Sequence, residues 1–165
     1  MLDDEALMQA LNSTPVTDGR RQDLWHEDDD VDRWALAHGG LGSAGERRWL
    51  RAARDALQAV GSGTSAEPGL RHVLEGVRKV PQVSASGIEW HVEVEPERRL
   101  AVELVLAWAD VEQRMPGRLR PCENPECRLF LLDRSRANTA RWCSMKTCGN
   151  RLKARRHQAR ARETP

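Results

Sequence analysis

The sequence predicts a mainly helical α+β body followed by a small module built on four cysteines, and three observations lead to this fold class. Apolar residues recur at helical spacing through most of the first 112 residues. Residues 88–95 alternate apolar and polar side chains, as a strand does. All four cysteines follow residue 120. The 165 residues are therefore expected to form a body over 1–114 and a module over 118–162.

The predicted helices of the body have recognisable start and stop signals. Residues 3–11 and the run beginning at residue 26 place carboxylates at a helix start, where the helix dipole favours them. Ser43 with Glu46 has the spacing of a capping box before a helix that ends at Gly61. Residues 70–77 form another amphipathic segment, and residues 96–112 are apolar on most sides, which is typical of a central buried helix. The polar residues 12–23 are expected to form a loop.

The β element of the body is predicted from residues 80–95. Ile88, Trp90 and Val92 alternate with polar residues, which indicates a strand with one buried face, and residues 80–84 are its expected hairpin partner. His91 then lies between two glutamates on the solvent face, so this constellation is explained without catalysis. Since no nucleophile or phosphate-loop motif appears either, the sequence predicts a protein that is not an enzyme.

The charge is distributed unevenly although the whole chain has a formal net charge of +1. Residues 1–113 hold 12 Lys and Arg against 21 Asp and Glu, and residues 114–165 hold 14 against 4. A basic arm on an acidic body is associated with polyanion binding. No apolar run is long enough for a membrane span and the acidic start does not resemble a secretory signal, so we expect a cytoplasmic protein with no membrane partner.

The cysteines form two pairs of the pattern C-x4-C, separated by fifteen residues: Cys122 with Cys127, and Cys143 with Cys148. Two short cysteine pairs can each clamp one side of a tetrahedral ion, and thiolates are preferred ligands of zinc. We therefore expect one structural zinc ion with a closed shell. Iron–sulfur binding and thiol redox chemistry are the alternatives, but redox dithiols usually have two intervening residues and a βαβ context.

A basic segment follows the last cysteine and is predicted to be a helix with almost nothing to bury. The residues expected to contact nucleic acid are Arg141, Lys146, Asn150, Arg151, Lys153, Arg155, Arg156 and Arg160. A four-thiolate zinc cluster has a formal charge of −2 and cannot account for the whole excess of positive charge. Docking of the tail on the acidic run at 26–32 stays open as an alternative. Trp142 is expected to pack in the module rather than to stack on a base.

The segment "RWCSMKTCGNRLKARRH", with "LRPCENPECRLFLLDRSR" before it, resembles the CGNR zinc-finger family of bacterial proteins. Cys148, Gly149, Asn150 and Arg151 form the motif that gives the family its name. The preceding body resembles the ABATE domain, through "LNST" at 11–14. The resemblance implies zinc on the four cysteines and a transcription regulator that contacts DNA through the finger.

The sequence therefore predicts a zinc-dependent protein that presents a basic helix to duplex DNA. Two other functions stay open: RNA binding, and a protein-interaction module whose basic finger engages an acidic partner. The acidic body is a candidate for homo-oligomer formation or for binding a small-molecule effector.

Overall fold

The computed structural model describes residues 1–17, 19–64 and 67–154, and in these ranges helices form the body and antiparallel strand pairs accompany them. The helices are α1 (Asp4–Leu11), α2 (Asp28–Ala37), α3 (Ala44–Gly61), α4 (Glu67–Leu74) and α5 (Arg99–Arg114), with a 3-10 turn at Pro96–Arg98 and a π-helical segment at Met145–Gly149. The strands are β1 (Val16–Thr17), β2 (Arg20–Arg21), β3 (Arg78–Ser84), β4 (Gly87–Glu93), β5 (Leu119–Pro121) and β6 (Phe130–Leu132). The predicted α+β class is confirmed.

Helix α5 is the centre of the body, as its apolar sequence predicts. Leu100 and Leu104 are fully buried, and the helix packs against α1, α3 and α4. Burying such side chains contributes about 1.5–3 kcal/mol each, so this helix contributes much of the driving force for folding. None of the helices in the described ranges is both long and apolar enough to span a membrane.

The start of α3 has one of the two hydrogen bonds of the predicted capping box and lacks the other. Ser43 Oγ accepts the N–H of Glu46 at 3.2 Å, as expected. The Glu46 carboxylate does not return to Ser43; it accepts the N–H groups of Leu41 and Gly42 at 2.7 and 2.8 Å. Glu46 is fully buried and thus holds the loop before the helix rather than the cap residue itself.

The predicted loop at residues 12–23 contains a short strand pair, in which Val16 pairs with Arg21. It also contains two partners of a buried arginine. Arg54 of α3 is 3% exposed and donates to both carboxylate oxygens of Asp23, at 2.6 and 3.0 Å, and to Ser13 Oγ at 3.2 Å. Burial raises the pKa of Asp23, but the hydrogen bonds from Arg54 and the Trp25 N–H, together with the charges of Arg54 and Arg21, outweigh it and the net pKa is lowered. This ion pair fixes the loop to the body.

The β3–β4 hairpin has the predicted partner strand, with Pro81 opposite Trp90 and Val83 opposite Ile88. The prediction that one of its faces is buried is wrong. Val83, Ile88 and Trp90 are 90%, 68% and 59% exposed. Among the described residues of the hairpin, Val92 near the base packs against the core, whereas these three side chains do not.

The cysteine-bearing part packs directly on the body through β5 and β6. Leu119 and Phe130 are buried within the same hydrophobic core as α5. The side chain of Asn12, at the end of α1, accepts the N–H of Phe130 at 2.7 Å and donates to its carbonyl at 3.2 Å. A Cβ at Gly61 would lie 2.6 Å from the Phe130 ring, so glycine permits α3 to approach β6. Asn12 therefore clasps the two parts of the chain together.

Candidate metal centre

The first cysteine pair is held by the β5–β6 hairpin. Beyond the paired strands, Cys122 donates its N–H to the Leu129 carbonyl at 2.8 Å, which continues the ladder to the first cysteine. Asn124 then makes the turn: its carbonyl accepts the N–H of Cys127 at 2.8 Å, and its side-chain oxygen accepts the N–H of Glu126 at 3.3 Å. The turn brings Cys127 back beside Cys122.

The second pair is carried by a loop and the π-helical segment. Glu123 donates its N–H to the Arg141 carbonyl at 2.9 Å, which joins this limb to the first pair. Ser144 caps the segment that contains Cys148, its Oγ accepting the N–H of Thr147. Trp142 is half-buried, and a Cβ at Gly149 would lie 2.9 Å from the Met145 sulfur and 3.1 Å from the Trp142 ring. The small size of Gly149 makes room for the Met145 side chain and the indole ring.

The four sulfurs converge on one point. All four Sγ atoms lie within 4.8 Å of one another. Cys143 Sγ lies 3.7 Å from the sulfurs of both Cys127 and Cys148. A tetrahedron with Zn–S bonds of about 2.3 Å has sulfur–sulfur edges of about 3.8 Å. The geometry therefore fits one zinc ion held by Cys122, Cys127, Cys143 and Cys148, as the sequence predicts.

N–H donors point at these sulfurs, which is the arrangement that a thiolate requires. The N–H of Cys143 lies 3.4 Å from Cys122 Sγ, and the N–H of Leu129 lies 3.5 Å from Cys127 Sγ. The buried side chain of Asn124 donates to Cys148 Sγ at 3.4 Å. Asn124 thus both makes the turn of the first pair and donates to a sulfur of the second. Its second role depends on Cys148, which is distant along the chain and carries no local signal.

Without a cation, the surroundings oppose the ionisation of two of the four thiols. Burial raises the pKa of Cys127 to about 11, and burial together with the adjacent Cys127 thiol also raises that of Cys143. Burial likewise raises the pKa of Cys148. Hydrogen bonds from Asn124 and the neighbouring thiols together have a larger, opposite effect, so the net pKa of Cys148 is lowered. A divalent cation would stabilise all four thiolates. A closed shell of four sulfurs leaves no position for a reacting water, so the metal would be structural.

Asp133 organises the loop that connects the two cysteine pairs. It is 2% exposed and accepts the N–H groups of Ser135 and Ala140, each at 2.8 Å, and a guanidinium N–H of Arg120 at 2.9 Å. The hydrogen bonds, led by Ser135, hold the pKa of Asp133 well below its usual range. Arg120 also donates to the carbonyl of Ala140. Both residues therefore have structural roles. The sequence alone does not indicate the role of Arg120, because that role depends on Asp133 lying beside it in the fold.

The predicted nucleic-acid contacts fall into three groups. Arg141, the first group, already has partners within the finger: its Nε donates to Glu123 at 2.6 Å, and its guanidinium lies over the Trp142 ring. Lys146, Asn150, Arg151 and Lys153 lie exposed on the π-helical segment and the α-helical residues that follow it. Within the part of the chain that the structure describes, no ion pair involves the cations of this second group. Arg155, Arg156 and Arg160 lie outside the described residues.

Comparison with known proteins addresses only the C-terminal part of the chain. No curated protein matches the sequence. The likeness of the body to the ABATE domain stays a prediction. The four cysteines, the Asn124 turn, the Asp133 loop and the cations at 146–153 all lie within one matched segment. Residues 118–161 match the family model described as the CGNR zinc finger.

Proposed function

We propose that the chain is a zinc-dependent DNA-binding protein, a transcription regulator whose finger presents basic side chains to duplex DNA. One observation carries the proposal: Lys146, Arg151 and Lys153 are exposed and have no acidic partner among the described residues. Cations without internal partners are free to neutralise phosphates, and phosphate contacts supply most of the affinity of such proteins.

Four other basic residues of the finger differ from these cations because they have partners within the protein. Arg118 donates to the carbonyls of Asp133 and Ser135, and Arg134 pairs with Asp4 of α1. Together with Arg120 and Arg141, they hold the finger together or fix it to the body. The cations on the segment after Ser144 differ from these arginines. They lie together on one short element and have no acidic partner among the described residues.

The acidic run of the body already has partners, which argues against its serving mainly as a dock for the basic tail. Asp28 and Asp32 lie 2.9 and 2.7 Å from guanidinium nitrogens of Arg51 and Arg47 on α3. A tail that docked there would compete with these ion pairs. We therefore favour an external polyanion as the partner of the finger.

Zinc would serve the proposed function by fixing the element that carries the cations. Cys148 lies between Lys146 and Asn150, so its bond to the metal would hold that stretch against the β5–β6 hairpin. Structural zinc supplies on the order of 10 kcal/mol of folding free energy to small modules. Asn150 and Lys153 are three residues apart on a helix and share a side, which lets both reach one groove. Arg151 is a candidate for a guanine edge.

The test is the salt dependence of binding to duplex DNA, measured by fluorescence anisotropy on zinc-loaded protein. Each phosphate contact contributes about −0.9 to the slope of log K against log salt. The double variant Lys146→Ala with Arg151→Ala should reduce the magnitude of the slope by about 1.8. Arg20→Ala with Arg48→Ala removes the same charge from the exposed body surface and should leave the slope unchanged.

Three results would count against the proposal. An affinity independent of salt, or an equal loss of slope in both double variants, would remove the finger as the binding surface. Preferential displacement of duplex DNA by single-stranded RNA of equal length would favour RNA binding. Absence of any nucleic-acid binding at low salt, with zinc present, would favour a module that engages an acidic protein.

A further inference from the structure

The apolar face of the β3–β4 hairpin lacks a cover among the described residues. Alternation places Pro81, Val83, Ile88, Trp90 and Val92 on one side of the ribbon, with Lys79 opposite Val92 at its base. Three of these side chains are largely exposed, Val83 at 90%, Ile88 at 68% and Trp90 at 59%. A two-stranded ribbon by itself is marginal in water and normally needs further strands or a packed helix. Residues 155–165 carry no large apolar side chain that would suit this face.

The two edges of the hairpin are not equivalent. The two-residue turn closes with Ser84 opposite Gly87, a hydrogen-bonded pair, and the two kinds of pair alternate along the ribbon. Pro81 opposite Trp90, three pairs further along, is therefore a non-hydrogen-bonded pair. This is the position that proline, without an N–H, can occupy. The backbone polar groups of Ile88, Trp90 and Val92 therefore point outward along the free edge of β4. The free edge of β3 carries Lys79 and Pro81, which discourage further pairing.

One register lets the β4 edge pair with itself. If Trp90 lies opposite Trp90 of a second antiparallel copy, then Ile88 lies opposite Val92 and all three outward-facing residues find partners. The exposed tryptophans and aliphatic side chains of the two copies then form one continuous apolar face. On the other face, Glu89 of each copy lies opposite His91 of the other, so that a carboxylate meets a hydrogen-bond donor.

The neighbouring registers are disfavoured by charge. A shift that puts Ile88 opposite Trp90 places Glu89 opposite Glu89, and the opposite shift places Glu89 opposite Glu93 and His91 opposite His91. Like charges directly opposite each other destabilise a strand pair. Shifts by a single residue would put the apolar side chains on the wrong face. Charge, apolar pattern and backbone hydrogen bonding thus select the same arrangement.

We propose that the free edge of β4 pairs with the same edge of a second copy, forming a four-stranded antiparallel sheet and a two-fold symmetric dimer. The interface is isologous, as expected for a symmetric dimer. It is formed by the body alone and stands independently of what the finger binds.

The dimer can be tested by analytical ultracentrifugation of the zinc-loaded full chain. We expect a monomer–dimer equilibrium in the range of about 1 to 100 μM, as fits a small interface. His91→Glu places two carboxylates opposite each other at both symmetric positions and should raise the dissociation constant about tenfold. The matched variant Glu89→Lys with His91→Glu restores opposite charges in the same register and should dimerise again.

Hydrogen exchange identifies the interface directly. The amides of Ile88, Trp90 and Val92 should gain protection as protein concentration rises, while those of Lys79 and Val83 on the β3 edge should not. A chain that stays monomeric at 100 μM (about the top of the range that a weak dimer requires) would overturn the proposal. So would a dimer that His91→Glu leaves unchanged, or one in which the β4 amides gain no protection. Circular dichroism of each variant separates loss of pairing from loss of folding.

Discussion

Replacing Asn12 by alanine tests whether one side chain joins the body to the finger. The amide makes two hydrogen bonds to the backbone of Phe130, at 2.7 Å and 3.2 Å, and alanine removes both. A net hydrogen bond contributes about 1 kcal/mol, and a buried backbone group left without a partner costs about 1–3 kcal/mol. Because Phe130 is 3% exposed, water cannot easily replace the amide. We expect a loss of about 2–3 kcal/mol in the free energy of unfolding.

The measurement is urea denaturation of zinc-loaded protein followed by circular dichroism, with a thermal melt as a second readout. For a chain of this length, 1 kcal/mol shifts the midpoint by about 2–4 °C, so the expected drop is roughly 5–10 °C. Gln22→Ala is the control, since Gln22 is exposed and its side-chain oxygen accepts an exposed hydrogen bond from Thr17. A loss below about 0.5 kcal/mol for Asn12→Ala, similar to that of ordinary surface substitutions, would refute the clasp.

Two further predictions concern the finger. Purified protein should contain one zinc ion per chain by elemental analysis; Cys148→Ser should lower that content and the thermal midpoint, whereas Thr147→Ser next to it should do neither, and full zinc retention in Cys148→Ser would contradict the four-sulfur site. Asp133→Asn should destabilise the protein at neutral pH, because a carboxyl whose pKa is lowered on folding stabilises the native state above its unfolded pKa. That difference from the wild type should narrow as pH falls below about 4, and a difference independent of pH would contradict the role of the charge.

Local signals in the sequence predict the elements better than their environment. Ser43 marks the start of α3, and the apolar stripe of α5 correctly indicates burial, because caps and periodicity are properties of neighbouring residues. Alternation predicts β4 as a strand, but it cannot say what lies above the strand, and Trp90 is exposed. The alternation shows only that one face of the strand is apolar. The burial of that face depends on what packs against it.

The site follows the same division. The spacing of the cysteines predicts the four-sulfur cluster, since short pairs encode a clamp in the chain itself. The roles of Asn124 toward sulfur, of Arg120 toward Asp133, and of Asn12 toward Phe130 depend on contacts between distant residues. Asn12 and Phe130 are 118 positions apart, and nothing local in either segment indicates the contact.

Pro81 sets a limit on how far association through the hairpin can proceed. A sheet that grows by adding identical strands on both sides becomes a fibre, because each addition leaves a fresh edge. In the proposed four-stranded sheet, both outer strands are β3, and each carries a proline where an incoming strand needs an N–H and a lysine nearby. Pro81 thus favours a closed dimer over open-ended polymerisation. Replacing it by valine would restore an N–H to the β3 edge and allow further strands to pair there.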